Sequence, residues 1–225
     1  LSCALADDAE VWVTSGFESF SQGTFDASGE NLYVSKRGRL QMIKVWDINR
    51  DGHVDLYFGH SHDIVEYQPA LIYYQRDGEL NPQAVTRLPS RHSSSQCVSD
   101  LNGDGYLDVV MINNMYVPDP VFRSFIYWGG PEGLTPKYRT GLPTFGAKQA
   151  FAADLNGDGL QEVIVRNAAR HRFDLNDACI SIHWQTRNGV FPPDRRDDIV
   201  VPSLGTTDMA DVDGDGFADL IFHGR

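Results

Sequence analysis

The sequence predicts an all-β fold, a β-propeller built of four-stranded blades with an acidic loop between the first two strands of each blade. Nine-residue loops, each followed by a short apolar run, begin at Asp47, Asp100, Asp154 and Asp211, in steps of 53, 54 and 57 residues. A second apolar run with a glycine-containing turn lies midway in each interval. A fixed period of this size, made of short strands, is typical of propeller blades.

Each loop carries oxygen-bearing side chains at positions 1, 3, 5 and 9 and a glycine at position 6, where a sharp turn is needed. Hard cations such as calcium prefer this ligand set, so the pattern predicts up to four Ca²⁺ ions, with the position-7 residues as backbone carbonyl ligands. A single loop of this kind is equally typical of an ordinary Asp/Asn/Gly surface turn. The predicted ligands are Asp47, Asn49, Asp51, His53 and Asp55; Asp100, Asn102, Asp104, Tyr106 and Asp108; Asp154, Asn156, Asp158, Leu160 and Glu162; and Asp211, Asp213, Asp215, Phe217 and Asp219.

The residues after each loop exclude an EF-hand, which requires a bidentate glutamate at position 12 and an exiting helix. Apolar, β-branched or aromatic residues follow instead, in runs that end at Gly or Asn, as strands do. Position 9 must therefore close the loop at the start of a strand. Position 12 is occupied by Phe58, Met111, Val165 and Phe222.

The second signature is an apolar strand that runs into a turn, at residues 71–78, 125–133 and 180–189, and a Leu-Pro or Val-Pro pair then recurs. Each unit therefore reads as strand, acidic loop, strand, long loop, strand, hairpin, strand. Residues 31–40 match the same hairpin signature, but they lie too near Asp47 for an ordinary unit. The first unit is thus expected to lack its outer strand or to arrange it differently.

With this spacing and these strands, the loops resemble the FG-GAP/VCBS repeat family of calcium-binding blades, which also form the propellers of integrin α-subunits. The resemblance covers residues from about 29 to 225, leaving residues 1–28 as an N-terminal segment. It implies calcium binding and a propeller, while the family's functions span adhesion modules, lectins and polysaccharide-degrading enzymes. Glu162 replaces the closing aspartate in the third copy, which puts the affinity of that site in question.

Composition limits the partners. The formal net charge is −12, yet 13 of the 31 acidic residues lie in the four loops, so the acidity belongs to the predicted metal sites. Nucleic acid is therefore not an expected partner. No apolar run is long enough to predict a membrane span. The three cysteines cannot all pair with one another, and we expect Cys97 and Cys179 to be buried free thiols.

Two expectations concern the chain ends and location. Residues 1–6 resemble the remnant of a secretory signal with an Ala-x-Ala cleavage site. Extracellular calcium suits low-affinity sites, so the sequence predicts an extracellular or secreted protein, periplasmic or cell-surface if bacterial. The blades are expected to form a segment of a larger propeller, with further blades or domains of a longer chain as partners; the alternative is a closed four-bladed ring.

Polar residues gather where the second strand of each blade ends, on the face opposite the acidic loops. Individually they suit a solvated loop; together they suit a binding face for a glycan or protein ligand. The predicted function is therefore a calcium-stabilised extracellular binding module, and the alternative is a polysaccharide lyase or hydrolase. The predicted ligand-binding residues are His60, His62, Tyr116, Arg170 and His171, of which His60, His171, Tyr116 and Arg170 are also the catalytic candidates.

Overall fold

A computed structural model describes residues 31–34, 40–60, 69–77, 79–90, 93–113, 123–168, 178–187, 189–201 and 204–224. Within these ranges every regular element is a β-strand, which confirms the predicted all-β class. The strands form four antiparallel sheets in chain order. Because these ranges contain no helix, they contain none that could span a membrane.

The first sheet has five strands, the second and third have four each, and the fourth has two. Consecutive strands pair throughout, so each sheet is a meander, as the predicted unit requires. The strands are β1 (Asn31–Val34), β2 (Leu40–Trp46), β3 (Asp55–His60), β4 (Ala70–Arg76) and β5 (Glu79–Leu88); β6 (Ser93–Ser99), β7 (Asp108–Asn113), β8 (Ser124–Tyr127) and β9 (Arg139–Leu142); β10 (Ala147–Ala153), β11 (Glu162–Asn167), β12 (Cys179–His183) and β13 (Arg196–Val200); and β14 (Leu204–Ala210) and β15 (Asp219–Gly224).

The first unit differs from the others at its inner edge. Strand β1 pairs with β2 in antiparallel register, Asn31 opposite Ile43 and Val34 opposite Leu40. The apolar run at residues 31–34 is thus an additional strand of the first sheet, although its sequence resembles a third strand. Ring closure and the total number of blades stay predictions.

Successive sheets pack face to face, and the alternation of side chains along β7 shows how. Val109 and Met111 belong to a core shared with the first sheet, where they meet Tyr57. Val110 and Ile112 belong to a core shared with the third sheet. All four are fully buried. A middle sheet is covered on both faces, which explains why its second strand is continuously apolar rather than alternating.

The two cysteines within the described ranges are free, as predicted. Cys179 is buried, whereas Cys97 is half-buried. Cys179 lies in the third strand of its sheet, where burial raises the pKa of its thiol. Both positions are therefore structural in character.

Candidate metal-binding loops

The acidic loops connect the first and second long strands of each sheet, and each folds around its own side chains. In the first loop, both carboxylate oxygens of Asp47 accept backbone N–H groups, from Asp51 and Gly52, each at 3.0 Å. Asn49 Oδ1 accepts the N–H of Asp51 at 3.3 Å, and Asp51 accepts the N–H of His53 at 2.9 Å. The side chains at positions 1, 3 and 5 are thereby turned over the centre of the loop.

The same bonds recur in the other three loops. The glycine at position 6 donates to the carboxylate at position 1, and the residue at position 7 donates to the carboxylate at position 5. Since every partner lies within nine residues, the geometry is set locally. The recurring pairs at positions 6 and 1 are Gly105–Asp100, Gly159–Asp154 and Gly216–Asp211, each at 2.9 Å; those at positions 7 and 5 are Tyr106–Asp104 at 2.9 Å, and Leu160–Asp158 and Phe217–Asp215 at 2.8 Å.

Two backbone positions in each loop adopt the left-handed conformation. Position 6 does so with φ of 84–95°, as its glycine predicts. Position 4 does so as well, which the sequence analysis missed. Three copies have glycine at position 4, and that was the available signal, but the first copy has Arg50 with φ of 54°. A left-handed arginine carries a steric cost that glycine avoids.

The fourth loop concentrates charge most strongly because an aspartate replaces asparagine at position 3. Oxygen atoms of Asp211, Asp213 and Asp215 all lie within 4.8 Å of one another, and the three residues are exposed. In the other loops the position-3 amide donates to the position-5 carboxylate, as Asn102 does to Asp104 at 2.9 Å. A bound cation would relieve the mutual repulsion of three carboxylates at this distance.

The closing residue at position 9 has a structural task that its sequence did not reveal. Asp55 is fully buried and accepts two backbone N–H groups, from Ile48 at 2.8 Å and from Gln75 at 3.1 Å. Asp108 likewise accepts from position 2 of its loop and from the end of its third strand. In the first two repeats, position 9 therefore ties the loop to the third strand of the sheet.

Burial also changes the acidity of this residue. It raises the pKa of Asp55 to about 7 and that of Asp108 to about 6, against the opposing effect of the backbone N–H groups. The neighbouring aspartates of the same loop raise both pKa values further. Burial in this position therefore favours the neutral acid over the charged carboxylate, and a nearby cation would favour the carboxylate instead.

The third loop closes with a glutamate instead of an aspartate. Glu162 is fully buried; its Oε2 accepts the N–H of Leu155 at 2.9 Å, whereas its Oε1 has no hydrogen-bond partner within the described residues. Burial raises the pKa of this carboxyl as well. A buried, unpartnered carboxylate oxygen beside Asp154 and Asp158 suits a hard cation. In the fourth loop, the carboxylate oxygen atoms at positions 1, 3 and 5 lie close enough together to fit the predicted metal.

Of the five predicted ligand-binding residues, only His60 lies within the described ranges. His60 is the last residue of β3, and antiparallel pairing places that end of the sheet opposite the acidic loop. His62, Tyr116, Arg170 and His171 lie outside the described residues. The prediction that these side chains share one site therefore stays a prediction.

Comparison with known proteins agrees with the loops and strands. The model of the FG-GAP-like repeat matches three overlapping stretches, residues 47–111, 100–165 and 154–222. Each match begins at the first aspartate of one loop and ends in the strand that follows the next loop. No individual curated protein matches the chain. Since the three matches together cover most of the sequence, the chain belongs to the FG-GAP-like repeat family.

Proposed function

We propose that this chain is a calcium-stabilised extracellular module that binds a glycan or protein ligand. The supporting observation is the charge balance of the loops. They hold 13 carboxylates and a single arginine, Arg50. The salt bridge between Arg196 and Asp198 lies outside the loops. A divalent cation in each loop supplies the charge that the side chains lack.

Calcium would be held by the oxygen atoms at positions 1, 3, 5 and 9 of each loop, with a backbone carbonyl at position 7. When bound, the ion supplies positive charge that draws these oxygens together. The chain's own residues hold the loop in place. The carboxylate at position 1 orders the turn, and Asp55 and Asp108 connect the loop to the third strand. The ion therefore acts on stability rather than on chemistry.

A melting experiment with and without calcium tests this proposal. A ligand that binds only the folded chain stabilises it by about 2.7 kcal/mol per site at a hundredfold excess over Kd. The unfolding midpoint should rise with calcium and fall with a chelator. Asp158→Ala should remove one site and part of the rise, while Asp194→Ala, at an exposed turn outside the loops, should keep all of it. An unchanged midpoint with calcium would contradict the proposal.

Extracellular location follows from the same loops. Their position-5 carboxylates are solvent-exposed, as Asp158 and Asp215 are. Exposed sites of this type bind weakly and fill at the millimolar calcium concentrations found outside cells. A calorimetric titration should therefore give dissociation constants on the order of 10⁻⁴–10⁻³ M; values near 10⁻⁷ M would instead suit a cytosolic calcium sensor.

The ligand is proposed to bind at the end of the sheets opposite the loops, where His60, His62, Tyr116, Arg170 and His171 follow the second strands. Histidine, tyrosine and arginine offer donor, aromatic and cationic groups for an anionic glycan or peptide. Binding to an immobilised uronate polymer should fall with Tyr116→Ala and with Arg170→Ala. Tyr138→Ala and Arg195→Ala are matched controls, because both residues are exposed on the hairpins between third and fourth strands.

The uronate experiment also separates the two functional classes. Retention without any change in the polymer supports a binding module. Formation of an unsaturated sugar product, lost with His60→Ala or His171→Ala, would instead establish a lyase whose base is a histidine.

A further inference from the structure

The second and third acidic loops are joined by a buried side chain that belongs to neither of them. Gln185 lies two residues after β12 and is only 4% exposed. Its side-chain amide nitrogen donates to two backbone carbonyl oxygens, that of Leu101 in the second loop and that of Gln161 in the third, each at 3.0 Å. An amide –NH₂ group carries two hydrogens, so both are used to bridge the loops.

The oxygen atom of the same side chain is also bonded, which fixes the bridge. Gln185 Oε1 accepts the backbone N–H of Gly189. A Cβ atom on Gly189 would lie 3.1 Å from the Trp128 ring and 3.3 Å from Asn102, and the residue has a φ of 81°. Glycine suits this crowded, left-handed position better than any other residue. The amide is therefore held at both of its polar atoms.

The two bridged carbonyl groups lie beside predicted metal ligands. Leu101 is position 2 of the second loop, between Asp100 and Asn102. Gln161 is position 8 of the third loop and directly precedes Glu162. A rearrangement of either loop around an ion would therefore reach a carbonyl group that the bridge holds.

A second bridge joins the same two loops. Ser99 directly precedes Asp100, and its hydroxyl donates to Gln161 Oε1 at 2.5 Å. The side chain of Gln161 is thus bonded just before the second loop. Its backbone carbonyl is linked to position 2 of that loop through Gln185. The third loop is therefore connected to the second on both sides of its position-1 ligand.

The equivalent position between the first and second loops is occupied by a glycine. Counted from the third-strand residue that pairs with the start of the second strand, Gly129 is the counterpart of Gln185. Positions 2 and 8 of these consecutive loops meet directly instead, and the N–H of Leu107 donates to the carbonyl of Ile48 at 3.4 Å. One long bond thus stands where the later pair of loops has two bonds of 3.0 Å.

We propose that the two bridges couple the second and third calcium sites, so that an ion in one loop strengthens binding in the other. This inference rests on the proposed calcium binding. When an ion fixes the second loop, Leu101 and the amide of Gln185 are fixed with it. The third loop then loses less conformational freedom on binding its own ion. Coupling of this kind is reciprocal, so both sites gain by the same factor.

Amide NMR spectra recorded during a calcium titration follow each loop separately, through the N–H groups of Gly105 and Gly159 at position 6. Asp100→Asn keeps an oxygen acceptor but removes the charge at position 1, so it should abolish binding in the second loop. Calcium binding at Gly159 should then weaken by about fivefold or more. Asp154→Asn should weaken calcium binding at Gly105 by the same factor, because coupling is reciprocal.

Gln185→Met removes the first bridge without changing the charge of either loop. In that background Asp100→Asn should have little effect on calcium binding at Gly159. Asp47→Asn in the natural chain is the matched control, since it empties the first loop. It should change calcium binding at Gly105 much less, and an equal effect would overturn the role of the bridges.

Ser99→Ala removes the second bridge and gives an independent test if Gln185→Met does not fold. The factor by which Asp100→Asn weakens binding at Gly159 should be smaller in this background. The same factor in every background, or no effect of Asp100→Asn at all, would overturn the coupling while leaving calcium binding intact. Spectra that do not respond to calcium would overturn the proposed function, and the coupling with it.

Discussion

The second and third repeats have the same architecture, yet their closing acids are bonded differently. In the second repeat, Asp108 accepts N–H groups from Leu101 at 2.9 Å and Gly129 at 2.8 Å. In the third, Glu162 accepts the N–H of Leu155, and its other oxygen has no partner within the described residues. The longer side chain keeps the bond that closes the loop but not the bond to the third strand. Closing the loop is therefore the shared requirement of position 9.

The two repeats also differ in the third-strand residue that pairs with the first residue after the acidic loop. In the second repeat, Tyr127 pairs with Val109 and donates its hydroxyl to the carbonyl of Pro89 at 2.7 Å. Arg139, on the neighbouring strand, donates to that hydroxyl at 3.2 Å. The tyrosine thus connects its sheet to the recurrent Leu-Pro pair of the preceding repeat.

In the third repeat a shorter histidine stands at this position, and the arginine takes over the connection. His183 is buried and its Nε2 has no hydrogen-bond partner within the described residues. Arg196 donates directly to the carbonyl of Pro143 at 3.0 Å and pairs with Asp198. The two repeats show that the proline carbonyl must be satisfied from the next sheet, while the donor can vary.

Substituting the closing acids, Asp108 and Glu162, is expected to give the largest difference in stability between the two repeats. Asp108→Ala leaves two backbone N–H groups without an acceptor and should destabilise the chain by about 2–4 kcal/mol. Glu162→Ala leaves one such group and should cost about 1–2 kcal/mol. Urea unfolding in the presence of a chelator measures both losses of stability without a contribution from calcium. Equal losses would mean that the bond to the third strand contributes nothing.

Because the third repeat has His183 where the second has Tyr127, we expect the stability of the chain to depend on pH through the third repeat. Burial, with a smaller contribution from Arg196, lowers the pKa of His183 to about 4 from its ordinary 6.5. The folded chain therefore favours neutral His183, and the unfolded chain takes up a proton below pH 6.5. The stabilisation is complete above pH 6.5 and is lost as pH falls towards 4, by on the order of 1–2 kcal/mol at pH 5.

The measurement is the unfolding free energy at pH 7 and pH 5 in three chains. His183→Phe should lose less stability on acidification than the natural chain does. Tyr127→Phe is the control, because a phenol is uncharged throughout this range and its removal should leave the pH dependence unaltered. The same pH dependence in all three chains would assign the acid sensitivity to other groups.

The smallest expected change in stability comes from position 4 of the loops, where the first and second loops differ. Arg50 is left-handed, whereas the second loop has Gly103 with φ of 70° and open space around it. Arg50→Gly should stabilise the chain by about 0.5–1 kcal/mol, and Gly103→Ala should destabilise it by about 1 kcal/mol. Thermal unfolding resolves both changes, and a loss of stability in Arg50→Gly would show that its side chain contributes more than the strain costs.

The strand order within each repeat was predictable because apolar runs and turn residues mark every element. The hairpin glycines Gly133 and Gly189 are left-handed, as turns of this kind require. The pairing of β1 with β2 was not predictable, since residues 31–34 resemble a third strand and pattern alone does not choose a strand's partner. The contact of Gly189 with Trp128 was also hidden, because the two residues are 61 positions apart.

The sequence by itself determined the acidic loops, since the bonds that shape them join residues within nine positions of one another. Asp47, Gly52 and their counterparts form the same contacts in every copy, whatever surrounds them. The tertiary structure decided how far the carboxylates of each loop are removed from solvent. Asp108 is fully buried, whereas Asp219, with the same place in its loop, is half-buried. Burial depends on which sheets pack alongside, and desolvation, unlike a local hydrogen bond, is set by neighbours distant in sequence.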